Sequence, residues 1–317
     1  MPSARPHPDR GIPLPAPLFL GGPTAVGKSE VALLLAERLG GEIISVDSMQ
    51  VYRGLDIGTA KPGAAERRRA PHHLLDVVAP TELFDAAKFV ALARGTVGEV
   101  QARGRLPVLC GGTGLYFKAL LDGLGEAPPS DSTVRAELET TPLADLLREL
   151  AERDPVTFAR IDRRNARRVV RALEVIRLTG NPFSAQRASW PKEKAALSDS
   201  PRFFGLARSG EDLRARINAR VDQMFARGLV AETERLLAHG LARNKTAMQA
   251  IGYRQVIEHL RGERSLEETV ALVKTRTRQF AKRQMTWFRR QLPVIWVDVR
   301  AGEPAEGIVA RIEGMMK

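Results

Sequence analysis

Eight consecutive residues, Gly22-Pro23-Thr24-Ala25-Val26-Gly27-Lys28-Ser29, fit the pattern G-x-x-x-x-G-K-[ST], and they lie between an apolar run, Leu18 to Leu20, and a helical one, Val31 to Leu39. A glycine-containing turn between a strand and a helix aims backbone N–H groups and the positive helix end at one point. Lys28 adds an ammonium there and Ser29 a hydroxyl. Such a loop solvates two or more linked phosphates together with Mg²⁺, Ser29 being the metal ligand. The motif needs a strand before it and a helix after it, so it commits the chain to an α/β sheet.

Composition limits what that sheet can belong to. A chain of 317 residues buries a large core and suggests two domains, or one domain with an insertion. The single cysteine, Cys110, excludes an internal disulfide framework and points to a reducing, cytoplasmic setting. Residues 1–17 are Pro-rich without an apolar core and read as a disordered leader, neither signal peptide nor membrane span. No apolar run approaches the ~18 residues of a membrane helix. A monomer is expected.

The net charge of +12 is unevenly placed. Between Arg160 and Arg187 eight Arg face two acids, Asp162 and Glu174; from Thr269 to Val297 there are seven Lys or Arg and no acid. These two segments hold the whole excess, which is the footprint of a surface for a polyanion such as nucleic acid.

After the phosphate loop, Glu42 to Val46 is a β-branched run ending in Asp47, followed by Ser48, Met49, Gln50, Val51 and Tyr52. In parallel sheets ligands sit beyond the carboxyl ends of strands, so Asp47 is expected in the crevice of the phosphate loop; an N-cap role is the other reading. A third strand, Leu106 to Leu109, runs into Gly111-Gly112-Thr113-Gly114-Leu115-Tyr116, where adjacent glycines let backbone approach a ligand and Thr113 offers a hydroxyl. Pro128-Pro129-Ser130-Asp131 breaks this alternation, and strand character returns at Phe203 to Leu206. Residues 127–202 therefore read as an all-helical insertion in an α/β core made of 18–126 and 203–317, with Pro293 to Val299 as a closing strand. Inside the insertion Arg164, Arg167, Arg168 and Arg171 recur at i, i+3, i+4, i+7, away from the apolar face of Val169, Leu173 and Ile176. Toward the C-terminus, Gln249-Ala250-Ile251-Gly252-Tyr253-Arg254 and Lys282-Arg283-Gln284-Met285-Thr286-Trp287-Phe288-Arg289 interleave cations with aromatic side chains, a combination suited to unpaired RNA bases and their phosphates. Phe280 and Trp287, seven apart, suit a core equally well.

GPTAVGKS, DSMQVY, DIGTAK (56–61), GGTGLY, RALEV (171–175), QAIGYR and KRQMTWFR, in this order and spacing, resemble the bacterial tRNA dimethylallyltransferase (tRNA isopentenyltransferase) family. The resemblance covers the chain apart from the leader and the last fifteen or so residues. It implies a P-loop NTPase-like core with a parallel sheet flanked by helices, plus an insertion that grips the tRNA anticodon stem. The implied reaction moves a dimethylallyl group from dimethylallyl pyrophosphate to N6 of the adenosine 3′ of the anticodon. The loop Gly22, Pro23, Thr24, Ala25, Val26, Gly27, Lys28 and Ser29 would hold the pyrophosphate with Arg220, and Mg²⁺ would sit on Ser29. Asp47, Thr24, Thr113 and Arg220 match the family's catalytic positions. The family's tRNA contacts map to Asp47, Ser48, Met49, Gln50, Thr113, Arg135, Arg167, Arg168, Val169, Val170, Arg171, the six residues Gln249 to Arg254 and the eight residues Lys282 to Arg289. Ser29 stands where Thr is commoner, and the leader is longer than usual. The adjacent His72 and His73 read as structural, because neighbouring residues make a poor metal pair. A P-loop nucleotide or small-molecule kinase is the competing assignment, since it needs the same phosphate loop.

Overall fold

The computed structural model describes residues 15–124, 128–187 and 202–316. In chain order the elements are β1 (Leu18–Gly21), α1 (Lys28–Leu39), β2 (Gly41–Val46), α2 (Ala64–Arg69), β3 (His72–His73), α3 (Ala86–Ala102), β4 (Leu106–Gly111) and α4 (Gly114–Asp122). A run of helices follows: α5 (Ser132–Thr140), α6 (Leu143–Arg153), α7 (Pro155–Arg160), α8 (Ala166–Thr179) and α9 (Phe183–Arg187). The chain then returns with β5 (Arg202–Ala207), α10 (Gly210–Ala226), α11 (Leu229–Ala238), α12 (Tyr253–Leu260), α13 (Leu266–Gln291), β6 (Ile295–Asp298) and α14 (Ala305–Met316). Two compact units result, one drawn from residues 1–118 and 196–317, the other from 119–195.

In the first unit six strands pair in parallel in the order β3-β2-β4-β1-β5-β6. β1 lies between β4 and β5, with Leu18 opposite both Val108 and Arg202, so the loop after β1 leaves from mid-sheet. Burial on both faces explains why β1 reads as a continuous apolar run without alternation. Leu18, Leu20, Val108, Cys110, Phe204 and Leu206 pack on one face in a cluster with α1 and α14. Phe19 and Phe203, of opposite parity, meet Phe117 of α4 and Phe288 of α13 on the other, with Phe117 and Phe203 ring centres 4.8 Å apart. Gly40 ends α1 in the left-handed region at φ 63° and returns its N–H to the Ala36 carbonyl, which lets β2 begin one residue later. Pro15 accepts a hydrogen bond from Gln101 at 3.0 Å, so the stretch entering β1 is tied to α3; residues 1–14 of the expected leader lie outside the described residues.

The helical unit is held by Leu138, Leu146, Leu150, Val169, Val170, Leu173 and Ile176. The expected boundaries shift. The unit begins at Ala119, inside α4, where 127 was expected, and Arg202, expected as its last residue, already belongs to β5. The arginine stripe is also corrected. Asn165 caps α8 through the Arg168 N–H, so Arg164 precedes the helix and does not share its face. Arg167 and Arg168 are exposed, whereas Arg171 is half-buried and donates to the Glu174 carboxylate at 2.8 Å and to the Pro128 carbonyl at 2.6 Å. Glu174 is fully buried and also accepts from Ser130 and the Asp131 N–H, with Arg135 at 3.7 Å. Arg135 and Arg171 thus neutralise a buried carboxylate, and their charge is committed within the unit.

Candidate active site

The loop Gly22 to Ser29 bends with Gly22 at φ 138°, where a Cβ would lie 2.8 Å from the Leu206 carbonyl, and with Ala25 and Gly27 also at positive φ. Three cations hold its carbonyls. Lys28 donates to Pro23 O at 2.6 Å, Arg216 to Ala25 O at 2.9 Å and Arg208 to Val26 O at 2.8 Å. Among the described residues no group accepts from the N–H of Val26, Gly27, Lys28 or Ser29. Four donors at the start of a twelve-residue helix, ringed by cations, are suited to a polyanion. Ser29 is exposed beside them.

Lys28 is strongly perturbed by its surroundings. Burial of its ammonium pushes it down to about 8, opposed by Cys110 and Asp47 and reinforced by Arg220. Arg220 is lowered likewise, first by burial, with Asp47 raising it and Arg216 lowering it. Its guanidinium reaches Thr24 Oγ1 at 3.4 Å. Three cations face one carboxylate here, an arrangement with room for further negative charge. Cys110 lies behind the loop, its Sγ donating to Lys28 O at 3.7 Å, and burial holds the thiol up at about 11.

Asp47 follows β2 at the same sheet edge. Its Oδ1 accepts from the N–H groups of Met49 (2.8 Å) and Gln50 (3.2 Å), so the capping role weighed from the sequence is real. Only one oxygen is used for it: Oδ2 takes no hydrogen bond from a described residue. Thr113 joins this edge to β4, its Oγ1 accepting from Ser48 N–H at 3.1 Å and its own N–H donating to Val46 O at 3.2 Å. Thr24, Lys28, Asp47, Thr113 and Arg220 therefore converge at the carboxyl ends of β1, β2 and β4.

The glycines of Gly111 to Gly114 have a different purpose from the one expected. A Cβ on Gly111 would lie 2.0 Å from Val46 O, on Gly112 2.5 Å from Gln284 Nε2, and on Gly114 2.1 Å from the Trp287 ring. They admit a neighbouring strand and α13, not a ligand. Gln284 of α13 bridges the two loops, accepting from Thr24 N–H and donating to Gly112 O, both at 2.9 Å. It is buried, so its assignment to RNA contact is corrected to a clamp between loops. Val169, Val170, Ala250, Tyr253 and Phe288 are also buried, and their side chains pack rather than face solvent. Trp287 packs on Gly114 and edge-on against Phe288. Gln249, Arg254, Lys282, Arg283, Thr286 and Arg289 are exposed, while Ser48, Met49, Ile251 and Met285 are half-buried. His72 and His73 bind Ala70 O and Glu42 as structural partners.

Arg208 and Arg216 were not identified from the sequence. Arg216 stands four residues before Arg220, the same-face spacing that would have found it, whereas Arg208 has no local signal.

An IPP transferase family model matches residues 50–291, and an isopentenyl transferase model matches residues 18–78. The chain belongs to the IPP transferase family. A tRNA dimethylallyltransferase of Geobacter metallireducens is 49% identical over 288 residues, covering 89% of this chain and 92% of its own length. The full-length tRNA isopentenylpyrophosphate transferase of Bacillus halodurans superposes with a TM-score of 0.69 at 40% identity, covering 95% of each chain. A eukaryotic dimethylallyltransferase acting on tRNA superposes at 0.74 with 26% identity, over 90% of this chain and 74% of its own. The core is accordingly P-loop NTPase-like, and the chain is an IPP transferase, a prenyl-transferring enzyme. Among the described residues no helix is long and apolar enough to cross a membrane.

Proposed function

We infer that the chain transfers a dimethylallyl group from dimethylallyl pyrophosphate to N6 of the adenosine 3′ of the anticodon in tRNA, releasing pyrophosphate. The observation that carries this reading is the meeting of a cation cradle, Lys28 and Arg220, with the half-used carboxylate of Asp47. The exocyclic amine of adenine is a weak nucleophile, so attack on the allylic carbon requires a proton acceptor on one side and stabilisation of the leaving group on the other. Asp47 takes the amine proton through Oδ2 while Oδ1 stays fixed by Met49 and Gln50. The N–H groups of Val26 to Ser29, Lys28 and Arg220 take up the charge of the departing pyrophosphate. Thr113 orients the base edge beside Asp47.

Mg²⁺ fits the site through one ligand, the exposed Ser29 hydroxyl; no group of three or more His, Cys, Asp or Glu able to hold a metal exists among the described residues. When bound, the ion would supply positive charge that offsets the charge of the departing pyrophosphate. Arg168, Lys282 and Arg283 are the exposed cations that suit tRNA phosphates, and an anticodon base reaches a sheet-edge site only when extruded from its stack. Family membership sets the kinase alternative aside. Incubation with tRNA, Mg²⁺ and dimethylallyl pyrophosphate, without ATP, followed by nucleoside mass analysis, tests the reading: an adenosine heavier by one dimethylallyl group is expected, and strict dependence on ATP would overturn it.

A further inference from the structure

Glu232 of α11 is 3% exposed and pairs with no cation among the described residues. Its carboxylate instead collects backbone donors: Ile57 N–H at 2.9 and 3.0 Å to its two oxygens, Asp56 N–H at 3.3 Å and Gly58 N–H at 3.4 Å. The Tyr253 hydroxyl donates to the same carboxylate at 2.6 Å and accepts from Gly58 N–H at 3.1 Å. Consecutive N–H groups converging on a carboxylate form an anion nest, here filled by the protein's own side chain. Gly58 is required for it, because a Cβ there would lie 2.5 Å from the Tyr253 ring. A carboxylate without a counter-ion costs several kcal/mol to bury, and only its hydrogen bonds offset that.

The far side of that loop is fastened to the turn bearing Asp47. Gln50 Nε2 donates to Thr59 O at 3.2 Å and Ala60 O at 3.4 Å, and Gln50 Oε1 accepts from Ser45 Oγ at 2.8 Å. The backbone N–H of Gln50 is one of the two donors to Asp47 Oδ1. Ala60 sits at φ 47°, a left-handed conformation that a non-glycine residue keeps only when its surroundings impose it. Lys61, nearly buried, ties the end of the turn, donating to Tyr52 O at 2.7 Å while paired with Asp56 and Asp76 at 2.8 and 2.6 Å.

We propose that Glu232 is a positioning residue, with Tyr253 as its hydrogen-bond donor, that fixes the Asp47 carboxylate relative to the phosphate loop by way of residues 56–60 and Gln50. The proposal rests on the reading of Asp47 as proton acceptor. It also reassigns the tyrosine of the QAIGYR motif: its hydroxyl serves Glu232, not RNA.

The test compares Glu232→Gln, Tyr253→Phe, the double variant and a control, Glu42→Gln, a buried carboxylate at the amino end of β2 that binds Arg103 and His73. Each is assayed for single-turnover prenyl transfer, donor KM, melting temperature and amide exchange in peptides covering 22–29 and 47–52. Glu232→Gln is expected to slow transfer about 10- to 100-fold, the order associated with misplacement by about an ångström, with donor KM within about twofold. Exchange should rise in 47–52 and not in 22–29. Tyr253→Phe should move the same quantities less, and the double variant should be no slower than Glu232→Gln alone. Glu42→Gln should lower the melting temperature without slowing the folded enzyme. Wild-type transfer rate with unchanged exchange at 47–52 in Glu232→Gln would overturn the proposal, as would an equal rate loss in Glu42→Gln. Should Glu232→Gln fail to fold, Tyr253→Phe decides by the same two readouts. Faster exchange at 47–52 in a protein whose wild type transfers no prenyl group would leave the brace standing and sink the functional reading instead.

Discussion

Lys28 should destabilise the ligand-free protein, and replacing it by methionine should reveal this. Holding the ammonium at about 8 instead of the ordinary 10.5 opposes folding by about 3 kcal/mol at neutral pH. Methionine keeps the apolar stem and loses the hydrogen bond to Pro23 O, worth about 1 kcal/mol. Lys28→Met is therefore expected to be more stable by about 2 kcal/mol, a rise in melting temperature of about 4–8 °C for a unit of this size. The pH dependence carries the sign. Below about 8 both folded and unfolded chains hold the proton and the cost is present in full; between about 8 and 10.5 the folded chain has released it while the unfolded chain has not, so the cost shrinks. At about pH 9.5 wild type should have regained about 2 kcal/mol on the variant, nearly closing the gap. Melts of both proteins without ligand, at about pH 7 and 9.5, measure this. A gap independent of pH, or a variant less stable than wild type at neutral pH, would refute the argument that burial dominates at Lys28. The same variant should lose most of the stabilisation that dimethylallyl pyrophosphate gives wild type, about 2.7 kcal/mol at a hundredfold excess over Kd.

Asp47→Asn should lower kcat by about 10²–10⁴ with donor KM and tRNA affinity little changed, and single-turnover rates within a few-fold of wild type would reduce Asp47 to a cap. Arg168→Ala should weaken tRNA binding and reduce the slope of log K against log salt by about 0.7–0.9, whereas Arg171→Ala, which strips a partner from buried Glu174, should chiefly lower the stability of the helical unit, by about 1–3 kcal/mol. Salt titrations and melts of the two variants separate these effects, and equal slopes would remove Arg168 from the RNA surface. Gly114→Ala should cost about 1–3 kcal/mol by driving a methyl group into the Trp287 ring, and an unchanged melting curve would show that α13 yields there freely.

Much of the frame is legible along the chain. β1, β2, β4 and β5 coincide with runs buried on both faces of a parallel sheet, whereas β6, an edge strand with Ile295 and Asp298 exposed, is marked by its β-branched residues, and the break at Pro128-Pro129 marks the passage into helices. The two residues of β3 carry no pattern long enough to recognise. At Asp47 both readings hold because a carboxylate has two oxygens. Glycine in Gly112-Thr113-Gly114 shows only that something comes close; whether it is a ligand or the Trp287 ring depends on a helix more than 170 residues away. Glu232 and Arg208 gave no sign for the same reason: each acts on backbone groups distant in sequence, and a single acid on a helix or a single base in a turn looks like any other. Cations interleaved with aromatics overstated the RNA surface, since Phe288 and Tyr253 share their motifs with exposed Arg289 and Arg254 but face the core.

The clamp formed by Gln284 has a consequence for how the enzyme is made. Thr24 and Gln284 are separated by 260 positions, and the strand that flanks β1 on its second side, β5, appears only after the helical unit. During synthesis the nascent phosphate loop emerges early and waits, its edge uncovered, until nearly the whole polypeptide has left the ribosome. Contacts of such long sequence separation form late and slowly, so pyrophosphate binding should be acquired near the end of folding rather than with its first strand. A chain released anywhere before α13 is complete would carry an intact G-x-x-x-x-G-K-S sequence and still lack the clamp that joins its loop to Gly112.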